Sequence, residues 1–295
     1  MTCATILARA PADATRPPRL VGAEHVSGPR RSLRAPRSGD RDDTGGDHMH
    51  QPMHDLFENG IPARTAVSGQ RVRFDRERWL AALPDRRMWP EELDALVTDG
   101  RWGVVDRTSV FEIGARTAAE CDADPFAGVR LYVAAAVWAT GPSARDVTRR
   151  IHALRAPDVT ARLTASLEIL RERGPVDAYT ASMRGGVAAV PYLGAPLFTK
   201  VLYFADFAPG SGGALILDRH VVAGLRDVGA VEWAVDKPWT SEDYRTYLAL
   251  AGVTARAHAT EPDVVEYVAS LRGRQVFRAL NAAAREAPSS DTVES

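Results

Sequence analysis

The amino-acid sequence predicts an all-α protein, built as one helical domain of roughly ten short helices in one or two lobes. Three observations support this fold class. From about residue 74 onward, apolar residues recur three and four positions apart, as they do on the buried face of a helix. Glycines and prolines interrupt this pattern at intervals typical of short helices. No convincing run of alternating polar and apolar residues predicts a strand.

The helical pattern places the elements along the chain. The first six helices are predicted over 74–83, 90–99, 107–119, 128–139, 143–154 and 159–173. Five more are predicted over 175–184, 196–206, 219–226, 240–251 and 262–272. Ser143 and Asp158 stand at positions where helix N-caps are expected, because their side-chain oxygens can accept from free backbone N–H groups.

Both chain ends are predicted to be disordered tails that flank a helical domain over 61–282. Residues 1–60 combine prolines, glycines and charges of both signs without a sustained apolar period, which is typical of an unfolded segment. Residues 283–295 form the second predicted tail. The apolar stretch at 2–8 is too short for a signal peptide and has no basic segment before it.

Composition limits the classes of function. The chain has 37 Lys+Arg and 38 Asp+Glu, a net charge of -1, so any contact with DNA must be local rather than driven by an overall field. Its two cysteines, Cys3 and Cys121, exclude a four-cysteine iron–sulfur cluster, a structural zinc ribbon and a disulfide framework. We therefore expect a cytoplasmic protein without a metal or cofactor.

Lysine is very rare in this chain, which uses arginine for nearly all of its basic residues. Only Lys200 and Lys237 are lysine. A lysine retained against such a bias is a candidate for chemistry that a permanently charged guanidinium cannot perform, above all nucleophilic attack by an amine.

Lys200 is the only charged residue between 185 and 205, in the segment GGVAAVPYLGAPLFTKVLYFADF (185–207). Prolines and a glycine interrupt this segment, so a membrane span is rejected. They predict instead a helix ending near Val190, a hairpin through 192–195 and a new helix from Pro196. An ammonium on this apolar helix loses hydration, which favours the neutral, nucleophilic amine. The alternative is that Lys200 extends past its apolar stem to water.

Asp218 follows a Gly/Pro loop and the apolar stretch ALIL, and it precedes the amphipathic segment VVAGLR. The simple interpretation is that Asp218 caps the following helix. The second interpretation takes Lys200 and Asp218 together. Each stands near the start of a helix, and the two helices are joined by a loop, so the amine and the carboxylate can face one another across a cleft.

These motifs carry a family resemblance. A helix, a hairpin ending in Gly194, Lys200 in the next helix and then Asp218-x-His220 resemble the helix-hairpin-helix DNA glycosylase superfamily. The strings YLGAPLFTKVLYFA and ALILDRHV are similar to bacterial proteins with an 8-oxoguanine DNA glycosylase (OGG) fold. The resemblance is most specific over 191–222 and extends loosely over 74–280. It implies a helical domain around a cleft.

The resemblance also implies roles for individual residues. Lys200 would be the Schiff-base nucleophile that attacks the anomeric carbon of a damaged nucleoside. Asp218 would stabilise positive charge on the sugar and assist deprotonation of the amine. His220 would be a supporting residue, the alternative being an ordinary core or phosphate-facing histidine. At the hairpin, backbone N–H groups would hold a DNA phosphate; the residues concerned are Leu193, Gly194 and Ala195.

The implied function is base-excision repair by a DNA glycosylase with lyase activity that removes an oxidised purine, above all 8-oxoguanine. Its partner would be double-stranded DNA containing a damaged base, bound by a monomer in the cytoplasm or on the nucleoid, with no membrane contact. Two other classes stay open: a non-catalytic helix-hairpin-helix DNA-binding module and a helical protein-interaction factor.

The resemblance does not identify the residues that would hold the base or the flanking phosphates. Aromatic side chains that could stack on an extruded base are Trp138, Trp233, Trp239, Tyr244 and Phe277, each of which is more often a core residue. Basic pairs that could meet phosphates are Arg149-Arg150 and Arg272-Arg274, for which a solvated helix face is the simple interpretation.

Overall fold

The computed structural model describes residues 51–120, 122–209 and 212–286, which belong to the compact unit 44–295. Its helices confirm the all-α class. The α-helices are α1 (Arg64–Ser68), α2 (Arg76–Ala82), α3 (Arg107–Glu120), α4 (Ala127–Thr140), α5 (Ala144–Leu154), α6 (Val159–Arg173), α7 (Pro175–Ser182), α8 (Ala195–Asp206), α9 (Arg219–Asp227), α10 (Ser241–Ala257) and α11 (Pro262–Glu286). Short 3-10 helices cover His54–Phe57, Arg86–Met88 and Glu91–Leu96.

Helix α4 forms the centre of the core. Its residues are apolar almost all round, and nearly all of them are buried, as expected for a helix surrounded by others. Helices α3, α5, α6 and α8 pack around it. Helix α8 is buried along most of its length, and this places Lys200 inside the protein rather than on its surface.

The two predicted N-caps have different outcomes. Ser143 caps α5 as expected, because its side chain accepts a hydrogen bond from Asp146 N. Asp158 occupies the N-cap position of α6, but its side chain makes no capping hydrogen bond. Its carboxylate accepts instead from Arg162 Nε at 2.6 Å, so the predicted N-cap position is confirmed but the side chain does not cap the helix.

A small antiparallel sheet departs from the predicted helical pattern. Strands β1 (Val72–Asp75) and β2 (Trp102–Val105) pair from Val72 with Val105 to Asp75 with Trp102. The predicted helix over 74–83 therefore begins only at Arg76, where Asp75 caps α2 by accepting from Arg78 N. Strand β1 alternates apolar and polar residues, but over four residues only, and the same residues also fit the helical pattern of 74–83. Strand β2 reads Trp-Gly-Val-Val and does not alternate, so the sequence analysis missed the pair.

Regular structure extends beyond both predicted limits of the domain. Residues 51–60, assigned to the tail from sequence, contain a 3-10 helix whose Leu56 and Phe57 are buried in the core. Helix α11 extends to Glu286, well past the predicted helix end at 272. The remaining parts of the two predicted tails, 1–50 and 287–295, lie outside the described residues.

The predicted hairpin is longer than expected. Helix α7 ends at Ser182, within two residues of the predicted helix over 175–184 but well before Val190, and α8 begins at Ala195. We call residues 183–194 the α7–α8 connector. The helix ends early because Met183 is extended and Gly185 adopts φ +89, a conformation incompatible with a continuing helix. Within the described ranges, no helix combines the length and apolar character needed to cross a membrane.

Helices α9 and α11 approach each other closely through glycines. A Cβ atom at Gly224 would overlap the carbonyl of Ala269, and one at Gly273 would overlap the carbonyl of His220. These obstacles are backbone atoms, so they cannot move aside as a flexible side chain would. The close contact holds the start of α9, where Asp218 lies, against α11.

We expect Gly273→Ala to lower the free energy of unfolding by about 2–4 kcal/mol, because α9 and α11 must separate to admit the methyl group. Urea titration followed by circular dichroism measures this. The matched control is Gly252→Ala in α10, where the added methyl group meets only the Arg256 side chain at 3.4 Å and helix propensity rises. Equal stability of the two variants would contradict the proposed close packing.

Candidate active site

All six residues to which the resemblance assigns a role line one cleft. The cleft has a volume of about 1710 Å³ and is bordered by the α7–α8 connector and by helices α8, α9 and α11. The predicted residues among its lining are Leu193, Gly194, Ala195, Lys200, Asp218 and His220. The fold therefore brings together two chain segments that the sequence could only relate by resemblance.

Lys200 lies inside the cleft, with its ammonium fixed by two partners. Its Nζ donates to Asp218 Oδ2 at 2.8 Å and to the Pro196 carbonyl, one helical turn earlier, at 2.8 Å. The side chain is only 9% exposed. Lys200 therefore does not extend past its stem to bulk water, and the interpretation of a solvent-seeking lysine is wrong.

Asp218 performs both functions that the sequence offered as alternatives. Its Oδ1 caps α9 by accepting from His220 N at 3.0 Å and from Val221 N at 3.2 Å. Its Oδ2 forms the ion pair with Lys200. Burial favours the neutral acid, but the charge and hydrogen bond of Lys200, with the backbone N–H donors, hold the pKa of this carboxyl well below its usual range. Asp218 therefore carries a full negative charge at neutral pH.

A buried segment without regular secondary structure, Ala214–Leu217, aligns Asp218 with Lys200. Its backbone is held by side chains of neighbouring helices: Leu217 N donates to Thr199 Oγ1 at 3.1 Å, and Tyr247 donates to Ile216 O at 3.0 Å. Thr199 immediately precedes Lys200 in α8. Because Thr199 bonds to Leu217 and Lys200 bonds to Asp218, two adjacent pairs fix the register between α8 and the start of α9.

His220 lies beside the pair without joining it directly. Its Nδ1 is 3.8 Å from Asp218 Oδ1, and its ring meets the edge of Phe277 with the centroids 5.5 Å apart. Burial lowers the pKa of His220. The negative charge of Asp218 acts in the opposite direction, and the positive charges of Arg219 and Arg274 lower this pKa further. The imidazole is therefore mainly neutral at pH 7.

The hairpin offers fewer open backbone donors than the resemblance implies. Leu193 is buried, and its N–H donates to Val190 O at 3.1 Å, so this group is not available to a phosphate. Gly194 is the N-cap residue of α8, and no side chain caps that helix. The N-terminus of α8, at Gly194 and Ala195, thus remains the part of the hairpin suited to an anion.

Comparison with protein families identifies the chain. The family model described as "Putative 8-oxoguanine DNA glycosylase OGG-like protein" matches residues 65–269, which is more than half of the sequence. The chain belongs to this OGG-like family. No curated protein and no solved structure matches it. Membership supports a DNA repair glycosylase in broad terms, and with it DNA binding.

The OGG-like protein has a polar floor to its cleft that the sequence did not reveal. Arg107 is fully buried, and its Nη1 donates to Glu266 Oε2 at 2.8 Å and to Tyr203 at 2.9 Å. Its Nε donates to Gln70 Oε1 at 3.3 Å. Burial raises the pKa of Glu266, and the charge of Arg107 opposes this shift. We call Gln70, Arg107, Trp138 and Glu266, all of which line the cleft, the cleft floor.

The orientation of the Gln70 amide on this floor follows from its partner. An arginine only donates hydrogen bonds, so the oxygen of the Gln70 amide must face Arg107 and its NH2 group must point elsewhere. The described residues provide no acceptor for that NH2 group. Gln70 lines the cleft and is anchored through its own carbonyl, which accepts from Trp138 Nε1 at 3.2 Å. Of the cleft floor, the sequence analysis named only Trp138; Gln70, Arg107 and Glu266 come from a loop and two helices far apart in the chain, so they form no motif.

The aromatic and basic candidates separate into two groups. Trp138, Trp239, Arg149, Arg150 and Arg274 line the cleft, whereas Trp233, Tyr244, Phe277 and Arg272 are not among its lining residues. Tyr244 is a core residue that bonds Leu215, and Arg272 pairs with Glu58 and Asp227.

The cleft of this OGG-like protein has a positive balance of charge that the whole chain lacks. Nine Lys and Arg side chains line it against four Asp and Glu side chains. Because the net charge of the whole chain is -1, attraction to phosphate must be local, and this excess of cations in the cleft supplies it. Nowhere in the described ranges do three His, Cys, Asp or Glu side chains gather as a metal site.

Proposed function

We propose that this protein is a DNA glycosylase with lyase activity that removes an oxidised purine, above all 8-oxoguanine, from double-stranded DNA. The observation that carries the proposal is the 2.8 Å contact between Lys200 Nζ and Asp218 Oδ2 inside a positively lined cleft. A cleft of about 1710 Å³ has room for an extruded nucleotide. We further propose that the protein acts as a monomer, in the cytoplasm or on the nucleoid.

Lys200 is the proposed nucleophile. Two of the three N–H bonds of its ammonium point to Asp218 and Pro196, which leaves the third for the cleft. Once that proton passes to solvent in the cleft, the nitrogen lone pair attacks C1′ of the deoxyribose, and the bond from C1′ to the base breaks with its electrons going to the base, which takes up a proton. The bond from C1′ to the ring oxygen O4′ then breaks, and O4′ takes up the proton that the nitrogen loses, which gives an imine between Lys200 and the opened sugar. The imine permits loss of a C2′ proton and departure of the 3′ phosphate.

Asp218 is the proposed electrostatic partner of the reaction. Breaking the bond to the base leaves positive charge on the sugar, and a carboxylate fixed by two backbone N–H groups can stabilise that charge without reorganising. The low pKa of Asp218 makes it a weak base. We therefore assign it mainly to charge stabilisation, with deprotonation of Lys200 as the lesser contribution.

The cleft floor is the proposed site for the edge of the extruded base. The NH2 group of Gln70 can donate to a base oxygen or ring nitrogen, and the Glu266 carboxylate can accept from a base N–H. Neighbouring donor and acceptor groups of this kind occur on the edges of an oxidised guanine. The floor thus suits an oxidised purine better than a hydrocarbon-like ligand.

We expect Gln70→Ala to lower excision of 8-oxoguanine by about tenfold or more, because one hydrogen bond to the base is lost. Cleavage of a preformed abasic site should be unchanged, since that substrate has no base. Comparing single-turnover rates on the two substrates measures this. An equal fall on both substrates would show that Gln70 supports the fold or the nucleophile instead.

The proposed function is tested by borohydride trapping on duplexes that contain 8-oxoguanine or an abasic site. A glycosylase and lyase gives a covalent protein–DNA adduct, because borohydride reduces the imine. A DNA-binding module gives salt-sensitive binding without an adduct. A protein-interaction factor gives neither, and either of these last two results would overturn the proposal.

A further inference from the structure

The α7–α8 connector displays two large apolar side chains to solvent. Tyr192 is 81% exposed and Val187 is 78% exposed, more than any other large apolar side chain in the described ranges. Single exposed apolar side chains are common on protein surfaces, so the surroundings of each must indicate whether it binds a partner. Of the two, only Tyr192 lines the cleft.

The connector that carries these side chains is firmly held. Ala188 N donates to Ala181 O at 2.9 Å, and Arg162 Nη1 donates to Ala189 O at 2.5 Å. Val190 and Leu193, on either side of Pro191 and Tyr192, are buried in the core. Tyr192 is thus fixed to an anchored turn, and its exposure is a property of the fold.

The backbone at Tyr192 adopts an unfavourable conformation. Its φ is +66, in the left-handed region that bulky residues rarely occupy. Glycine or asparagine would adopt this conformation at lower cost. A strained tyrosine retained on an anchored turn points to a use for its ring that outweighs the strain.

We infer that Tyr192 stacks on DNA beside the extruded nucleotide. The inference rests on the proposed function. Tyr192 and Lys200 line the same cleft. Three residues lead from Tyr192 to Ala195, at most about 10 Å, and five residues along α8 add a rise of about 8 Å. The backbone of Tyr192 therefore lies within about 18 Å of that of Lys200, a span of roughly five base-pair steps. Extrusion of a nucleotide exposes the face of the neighbouring base, and an aromatic ring can cover it.

Charge complementarity favours DNA over an apolar protein partner for this tyrosine. Arg149, Arg150 and Arg184 line the same cleft as Tyr192, and the lining as a whole has nine cationic against four anionic side chains. The ring of Tyr192 also lies near that of His152, with the ring centroids 5.8 Å apart. An exposed aromatic ring beside cations matches a strand whose phosphates alternate with stackable bases.

The test measures affinity for a labelled duplex that contains a stable abasic-site analogue, by fluorescence anisotropy at several salt concentrations. We expect Tyr192→Ala to weaken binding by about tenfold or more and Tyr192→Phe to retain it. Stacking releases no counterion, so the slope of the logarithm of the binding constant against the logarithm of the salt concentration should be the same for Tyr192→Ala and the unaltered protein. Val187→Ala, on the same connector but outside the cleft, is the matched control and should bind as the unaltered protein does.

A stability measurement separates this role from a structural one. Tyr192→Asn removes the ring but tolerates positive φ, so its midpoint of urea unfolding should equal or exceed that of the unaltered protein while DNA affinity falls. Tight binding by Tyr192→Ala would overturn the inference and leave the proposed function intact. Failure of the unaltered protein to bind the duplex or form an adduct would instead overturn the proposed function, and the inference with it.

Discussion

Replacing Lys200 with glutamine is expected to lower excision of 8-oxoguanine by at least about a thousandfold and to abolish the borohydride-trapped adduct. The reason is that an amide nitrogen has no lone pair available for attack on C1′. Glutamine can still donate to Asp218, so the fold should persist. Single-turnover excision and trapping on a denaturing gel measure the two effects.

The chain contains a natural control for this variant. Lys237 is the other lysine of the protein, and it also lines the cleft. Lys237→Gln removes the same charge from the same cleft but leaves the pair with Asp218 unchanged. We expect it to retain the adduct. An adduct that survives in Lys200→Gln and disappears in Lys237→Gln would show that the nucleophile had been assigned to the wrong lysine.

Replacing Asp218 with asparagine is expected to lower turnover by at least about a hundredfold, because the charge that faces the sugar is lost. Asparagine caps helices about as well as aspartate, so α9 should remain intact. The variant leaves the ammonium of Lys200 without its counterion, which we expect to lower the free energy of unfolding by about 1–3 kcal/mol. This loss of stability is smaller than for a fully buried ion pair, because the Asp218 side chain is 18% exposed in the cleft and solvent partly screens the charges.

Two comparisons separate the charge of Asp218 from its cap. Asp218→Ala removes both, so it should be less stable than Asp218→Asn by about a further 1 kcal/mol. The stability difference between the unaltered protein and Asp218→Asn should also depend on pH. The pKa of Asp218 in the folded protein lies below its ordinary value of 3.8. The ionised carboxylate therefore contributes its full stabilisation of the fold above pH 3.8, and this stabilisation is lost as the pH falls through the folded pKa. A difference that instead grows on acidification would contradict the ion pair.

Local sequence predicted the regular helices because local chemistry determines them. The repeat of apolar residues and the Gly and Pro stops predicted α3 to α6 within one or two residues. Elements without a local signal were missed. The strands β1 and β2 stabilise each other only by pairing, and the early end of α7 depends on the backbone conformation at Gly185.

The sequence by itself determined the helical class, the unusual lysine and the candidate carboxylate. Only the tertiary structure decided that Lys200 and Asp218 touch, because their contact depends on Thr199 and Leu217 aligning two segments that are separate in the chain. The same holds for the cleft floor, where Arg107 of α3 bonds both Gln70, from the segment between α1 and β1, and Glu266 of α11. Hydrogen bonds between distant residues leave no periodic trace in a sequence, and folding alone brings their partners together.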